Sequence, residues 1–209
     1  PDRSIRDAYD AWAEQYDADD NATRELNAEV LRKQGFLRSD DDALEIGCGT
    51  GLNTQWLVEQ AGAVVATDFS EGMLGMARAR LSGRAATVRK MDVTAPWPFE
   101  GSRFDCVVAT LVLEHVKHLD HVFEQAHRVL RSGGFFYLSE LHPYRQLGGT
   151  QANFEHEESS EIITIDAFTH PVSEFVNEGL DPGFSVRRMG KRYGVDDDVP
   201  RLLTILFEA

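Results

Sequence analysis

From residue 43 onward the apolar positions of this chain fall into two alternating rhythms. Short runs rich in apolar and β-branched residues occur at 43–46 (ALEI), 63–67 (AVVAT), 85–91, 104–110 (FDCVVAT) and 135–141. Such runs read as strands buried on both faces, the habit of a parallel sheet. Between them apolar residues recur every third or fourth position. Trp56 and Leu57 lie in a helix from about Asn53 to Gln60, and Met73, Leu74, Ala77 and Leu81 in one that Ser70 can cap. Leu119, Val122, Phe123, Ala126 and Leu130 mark a third helix, ended by Gly133 and Gly134. Segment 144–170 breaks the rhythm with a loop and then an alternating stretch, EIITIDAF, that suggests an inserted strand. A short helix at 173–178, with Gly179 just past its end, and strands at 184–189 and 202–207 complete the pattern. Residues 4–35 read as two helices broken around 17–21, the second ended by Gly35. Tyr9, Trp12, Ala13 and Tyr16 can share one face of this region, and Leu26 and Val30 one face further on.

Strands alternating with helices predict an α/β fold: a Rossmann-like, seven-stranded, mostly parallel sheet with helices on both faces. In such sheets a ligand lies at the carboxyl ends of the strands. A length of 209 residues suits one domain. No apolar run is long enough to span a bilayer, and the start of the chain lacks the basic and apolar stretches of a secretion signal. The expectation is a cytoplasmic chain with no membrane partner. A formal net charge of −14 and no dense Lys/Arg cluster argue against a nucleic-acid partner. The acidic clusters at Asp40, Asp41 and Asp42, at 155–161, and at Asp196, Asp197 and Asp198 read as solvated loops.

Cys48 and Cys106 have no second cysteine or histidine at ligand spacing and read as small buried residues. His115, His118 and His121 would be neighbours on a helix, but they straddle the point where a helix is expected to restart, and no carboxylate pair accompanies them. No metal is expected.

The chemistry concentrates in Leu44, Glu45, Ile46, Gly47, Cys48, Gly49, Thr50 and Gly51. A glycine-rich turn after a strand lets a ligand approach the backbone closely, and the helix that follows offers free N–H groups. The glycines fall at 47, 49 and 51, so the third position of a dinucleotide fingerprint is Leu52 instead. Glu45 would sit badly near a pyrophosphate and suits a cationic ligand better. This arrangement resembles the cofactor loop of the class I S-adenosylmethionine-dependent methyltransferases. Further segments match that family in order: Ala66 to Ser70 with Asp68 closing the second strand, and Lys90, Met91, Asp92 and Val93 closing the third. Phe104 to Thr110 followed by Leu113, Glu114, His115 and Val116, and Arg128 to Gly134 before the fifth strand, also match.

The resemblance implies S-adenosylmethionine as cofactor and a set of roles. Asp68 would accept bonds from both ribose hydroxyls, and Asp92 with the Val93 N–H would hold the adenine, which Met91 and Phe69 would flank. Glu45, with backbone groups of Gly47 and Thr110, would hold the methionine end, and Cys48, Gly49, Gly51 and Met73 complete the expected contacts. Tyr16 could cover the sulfonium, since an aromatic face attracts a cation, with Tyr9 and Trp12 as alternatives. The chain then divides into an N-terminal helical cap (1–38), a cofactor-binding core (39–141), an acceptor-side insertion (142–172) that with the cap would cover the site, and a final helix and strands (173–209).

Methyl transfer from a sulfonium is an in-line displacement that needs a base only when the acceptor carries a proton that must leave. His115, after the fourth strand, is the candidate base, or else it only lines the pocket. His142, Tyr144 and Arg145, after the fifth strand, form a second polar group for the acceptor, together with Tyr9. The expected reaction is methylation of O, N or C of a small molecule by a monomer or homodimer. Two alternatives stand beside it. One is carboxyl methylation of a carrier-bound acid, which would need a basic docking face; the other is a non-catalytic S-adenosylmethionine-binding module. Thr110, Leu111, Val112 and Leu113 stand where DNA and protein amide methylases typically carry an Asn-Pro-Pro-Tyr-type segment.

Overall fold

The structure is a computed structural model that describes residues 3–150, 153–155 and 162–209. In chain order the strands are β1 (Asp42–Ile46), β2 (Ala63–Asp68), β3 (Ala86–Lys90), β4 (Phe104–Thr110), β5 (Leu130–Leu141), β6 (Asn153–Glu155), β7 (Ile162–Thr164), β8 (Ser185–Arg192) and β9 (Leu202–Glu208). The helices are α1 (Arg3–Trp12), α2 (Ala22–Arg32), α3 (Leu52–Gln60), α4 (Glu71–Arg80), α5 (Asp120–Val129), α6 (Pro143–Leu147) and α7 (Val172–Leu180).

Seven strands form one sheet in the order β3-β2-β1-β4-β5-β9-β8. The first five run parallel, β9 is antiparallel to β5, and β8 is antiparallel to β9. The chain winds outward from β1 to β3, then returns to place β4 on the other side of β1. That reversal leaves a crevice beyond the carboxyl ends of β1 and β4, where a ligand fits between diverging connections.

Both faces of the central strands are covered, which is why β1, β2, β4 and β9 are mostly apolar, whereas the edge strands β3 and β8 are largely exposed and carry charged residues. On one face Leu44, Ile46, Val107, Ala109, Phe136 and Leu138 pack with Val122, Phe123 and Ala126 of α5 and Phe175 of α7. On the other, Ala43, Val64, Cys106, Val108 and Tyr137 pack with Leu31 of α2 and Leu57 of α3. Ser70 caps α4 by accepting from the Met73 N–H at 3.0 Å, and Asn21 caps α2 by accepting from Thr23 and Arg24. Among the described residues, no helix is long and apolar enough to cross a membrane.

Several boundaries differ from the sequence expectation: the first helix ends at Trp12, so Ala13 and Tyr16 lie outside it, and the strand expected at 184–189 runs on to Arg192. The third periodic helix ends at Val129 rather than at the glycine pair, because Leu130 already pairs with Phe104 in the sheet. The EIITIDAF strand is confined to Ile162–Thr164, which pairs antiparallel with β6 in a separate hairpin; its first residue lies outside the described residues. Gly179 lies inside α7 instead of after it. A Cβ at Gly179 would stand 2.3 Å from the Phe207 ring, so this glycine is set by close helix-to-sheet packing and not by a helix stop.

Gly179→Ala should therefore destabilise the fold by about 1–3 kcal/mol through overpacking. Gly75→Ala, mid-helix in α4 with nothing within 4 Å of the added Cβ, should be neutral or stabilising by up to about 1 kcal/mol. Urea denaturation of both variants checks the pair.

Candidate functional site

A cavity of about 710 Å³ opens at the crevice, floored by the loops after β1, β2 and β4 and walled by α1, the α1–α2 segment and α2. The loop after β1 is anchored by the Cys48 N–H donating to the Thr67 carbonyl at 2.9 Å. Gly47 has φ +69, and a Cβ there would collide with Val112 at 2.5 Å. Gly49 has φ +53, and a Cβ there would meet nothing within 4 Å. Gly49 also lines the cavity, so a ligand can approach its bare backbone.

Asp68, the last residue of β2, is only 6% exposed. One oxygen accepts from the Gly49 N–H and the other from the Ser70 N–H, each at 2.9 Å. Burial pushes its carboxyl above the ordinary range, while the N–H bonds from Ser70, Gly49 and Phe69 pull the other way. Each oxygen keeps a lone pair beyond these backbone bonds, and the residue lines the cavity, so it can accept from a vicinal diol. Phe69, Met73, Met91 and Val93 supply apolar wall beside it. The exposed glycine backbone, a buried acceptor pair and an apolar slot fit a nucleoside carrying a ribose.

The other expected cofactor contacts divide. Cys48, Tyr16, Gly47 and Thr110 line the cavity, and Thr110 accepts from Asn53 at 3.2 Å. Gly51 and Glu45 do not line it. Glu45 is buried beneath the floor, takes a hydrogen bond from Thr54, and has its carboxyl pushed up to about 8, by burial first and then by Asp68 against the opposing Thr54 bond. Asp92 also stands off the lining; its carboxylate accepts from the Thr94 N–H at 2.9 Å and the Thr94 hydroxyl at 2.6 Å. The Arg24 guanidinium lies 4.1 Å from the centre of the Tyr16 ring, so one face of that ring already holds a cation. Trp12 is buried, donates to Asp19 at 2.6 Å, and does not reach the cavity.

On the acceptor side His115 and Tyr9 meet. The Tyr9 hydroxyl lies 2.8 Å from His115 Nε2, and His115 Nδ1 lies 2.9 Å from the Asp166 carbonyl. A carbonyl only accepts, so Nδ1 carries a proton and, in the neutral ring, Nε2 accepts from Tyr9. Burial, with smaller contributions from Tyr16, Glu114 and Asp68, pushes the Tyr9 phenol well up, so it serves as a donor. Both residues line the cavity.

His142, Tyr144 and Arg145 do not. His142 caps α6 by accepting from the Tyr144 N–H at 3.3 Å; burial, helped by Lys191, lowers it below the ordinary imidazole range. Tyr144 projects outward, 65% exposed, and Arg145 is paired with Asp197, which Arg201 also holds.

Sequence reasoning did not single out several residues of the lining. Asn27, Arg24, Asn53, Leu111 and Val112 all face the cavity. Leu111 has φ +55, a conformation that costs a β-branched or bulky residue on the order of 1–2 kcal/mol and that clusters at functional sites. Asn27 carried a readable signal: a polar side chain among Leu26, Val30 and Leu31 on an apolar helix face.

Behind the site lies a buried acid. Glu140, 1% exposed, accepts weakly from the Val112 N–H at 3.3 Å, and its other oxygen has no partner. Burial, and then Glu114, push it up to about 8, against backbone bonds from Leu113, Val112 and Glu114. Glu114 accepts from Gln146 at 3.2 Å and stands 3.9 Å from His115 Nε2.

Known proteins resemble this chain in sequence and in fold. Residues 44–138 match the methyltransferase-domain family. An uncharacterized methyltransferase of Emericella nidulans is 27% identical, with 86% of this chain and 75% of that protein aligned. The biotin biosynthesis bifunctional protein BioCD of Bordetella avium is 31% identical over 88% of this chain; the match spans only 39% of that longer protein. The crystal structure of an S-adenosylmethionine-dependent methyltransferase from Mesorhizobium loti superposes with a TM-score of 0.72 at 21% identity, covering 87% of this chain and 98% of that one.

Glu45 and Glu140 each keep a proton in the folded chain up to about pH 8, whereas in the unfolded chain they lose it near the ordinary carboxyl value of 4.5. Unfolding across that window releases protons, so these groups make stability fall as the pH rises from about 4.5 to about 8, by up to about 1.4 kcal/mol per pH unit for each. Glu140→Gln should flatten that slope and raise stability most near pH 8. Thermal melts of wild type and variant between pH 5 and pH 8.5 read it directly; equal slopes would show that Glu140 does not hold the proton.

Proposed function

We propose, from the match of residues 44–138 to the methyltransferase-domain family, that this chain is a class I S-adenosylmethionine-dependent methyltransferase that methylates O, N or C of a small molecule seated beside His115 and Tyr9. The observation that carries the reading is the cavity of about 710 Å³ walled by α1 and α2. That is the size of a small-molecule site, and its aromatic wall suits a compact acceptor better than a nucleic-acid strand.

When bound, S-adenosylmethionine supplies a methyl group already activated by its sulfonium, so no protein nucleophile is needed. Asp68 takes the ribose hydroxyls, and Gly49 lets the ligand approach the loop. Phe69, Met91 and Val93 hold the adenine by packing. Tyr9 and Tyr16 exclude water from above. His115, with its proton fixed at Nδ1 by the Asp166 carbonyl, offers Nε2 as the base. An acceptor proton reaches Nε2 by displacing the Tyr9 hydroxyl or by passing through it.

A second reading, methylation of a carboxylate borne by an acidic carrier, is favoured by one observation. Arg187, Arg188, Lys191 and Arg192 stand together on the edge strand β8, a basic strip on a chain of net charge −14. The strip also has a simpler use, since charged side chains keep a sheet edge from pairing with another chain. The small-molecule reading therefore stands first.

Calorimetric titration with S-adenosylhomocysteine should show binding by wild type and at least tenfold weaker binding by Asp68→Asn, which keeps the size but loses an acceptor. Incubation with tritiated S-adenosylmethionine and a cell extract separated into small molecules, protein and nucleic acid should place label in the small-molecule fraction. His115→Gln should then slow labelling about 10²–10⁴-fold if the acceptor must lose a proton. Label confined to protein would favour the carrier reading, and label in nucleic acid would sink both.

A further inference from the structure

Residues 13–21, between α1 and α2, form a braced unit over the cavity. Arg24 donates to the Tyr16 carbonyl at 2.5 Å and to the Asp19 carbonyl at 2.6 Å, and Trp12 Nε1 donates to Asp19 at 2.6 Å. Tyr16, Asp17, Asp19, Asp20 and Asn21 of this unit line the cavity. The helix before it is fastened separately: Asp10 of α1 accepts from the Ser70 hydroxyl and the Gly72 N–H at the start of α4.

A closed ring of three side chains ties the unit to the floor. Arg80, the last residue of α4, donates from one nitrogen to an oxygen of Asp17 at 2.5 Å and from another to the Thr50 hydroxyl at 2.8 Å. That hydroxyl donates to the other oxygen of Asp17 at 2.7 Å, and Arg80 also donates to the Thr50 carbonyl at 2.7 Å. Thr50 belongs to the glycine loop after β1 and is 1% exposed, and the Arg80 and Asp17 side chains are 20% and 22% exposed. In a ring so shielded each charge-assisted bond polarises the next and water competes weakly, so it holds better than an ion pair on the surface.

Asp17 stands on the roof of the cavity and Thr50 in the loop that a ligand approaches, so one guanidinium grips roof and floor together. Arg80 does not line the cavity, so its effect on a ligand passes through the two segments it joins. Lifting the roof breaks the bonds to Asp17 and leaves those between Arg80 and Thr50 in place. Resting on the cofactor reading above, we propose that Arg80 is a positioning residue that latches residues 13–21 over the bound cofactor through Asp17, and that this latch sets how fast the cofactor and its demethylated product exchange. Lid opening of this kind limits turnover in many enzymes.

Two measurements on the full-length chain test the latch, and one needs no ligand. Hydrogen exchange read by mass spectrometry should be at least tenfold faster at residues 13–21 in Asp17→Asn and in Arg80→Gln than in wild type, and within threefold of wild type in β1 and β4. A substitution that merely loosened the fold would speed all of these together. Surface plasmon resonance should show S-adenosylhomocysteine leaving each variant at least tenfold faster than wild type and associating no more slowly. The double variant should release it within twofold of the faster single variant, since both substitutions cut the same link. Asp17→Asn keeps the bonds between Arg80 and Thr50, so an effect of Arg80→Gln alone would reduce Arg80 to a support of the loop and overturn the latch. Unchanged exchange at residues 13–21, or unchanged release from both variants, would overturn it too. No binding of S-adenosylhomocysteine by folded wild type would overturn the cofactor reading, and the hydrogen-exchange comparison would still decide whether Arg80 and Asp17 fasten the roof.

Discussion

One carboxylate ties the site together. Asp68 takes the Gly49 N–H with one oxygen and the Ser70 N–H with the other, and so joins the loop after β1 to the start of α4. Ser70 in turn caps α4 through Met73 and donates to Asp10 of α1 at 2.5 Å, while the Gly72 N–H donates to the same Asp10 oxygen at 3.0 Å. Through that chain the position of α1, and with it Tyr9 and the hydroxyl that meets His115, depends on a residue at the end of β2. A buried carboxylate is costly unless its lone pairs are used. Backbone N–H groups engage both oxygens of Asp68, and the residue lines the cavity. The same desolvation that makes Asp68 expensive to bury makes its bonds strong.

The sequence made the parallel half of the sheet readable because its cues are local. Five short runs, four of them closed by a glycine, an aspartate or a threonine, and helices with caps such as Ser70, depend on neighbours a few positions away. Residues that line the cavity were legible for the same reason: Gly47, Gly49 and Asp68 sit at or just past strand ends, where the hydrophobic run stops. Gly179 was misread as a helix stop because the feature that requires it, the Phe207 ring, lies on a strand distant in sequence.

The acceptor side was less legible because its geometry is set by contacts between distant segments. His115 was visible as a histidine after β4, yet its tautomer is decided by the Asp166 carbonyl, 51 residues later, and its hydrogen-bond donor is Tyr9, 106 residues earlier. Arg145 follows β5 and so looked like a rim residue; what takes it away is Asp197, 52 residues on. Long polar side chains are drawn to whichever opposite charge the fold brings close, and spacing along the chain does not reveal that partner. Asn27 belongs to the same class: its polarity was on view, but only the fold shows that it lies buried at the wall of the cavity.

The unmet polar groups of the molecule are distributed unevenly, and their placement follows from this division. Among the described residues, the buried side-chain atoms without a partner are Arg24 Nε, Asn27 Oδ1, Tyr137 Oη, Ser139 Oγ, Glu140 Oε2 and Arg145 Nε. They belong to α2, to the second half of β5 and to the helix that follows it, on the carboxyl-end side of the sheet. Leu111, with its left-handed backbone, lies beside them and donates to the Ser139 carbonyl at 2.9 Å. A chain selected only for stability would fill that region with apolar residues, as it does between α5 and the sheet, where Val122, Phe123, Phe136 and Phe207 pack without a polar atom. Of the residues with unmet atoms, Arg24 and Asn27 line the cavity, as does Leu111, while Tyr137, Ser139, Glu140 and Arg145 do not. Strain and unmet polarity of this kind cost stability, and folded chains tolerate them chiefly where function requires them.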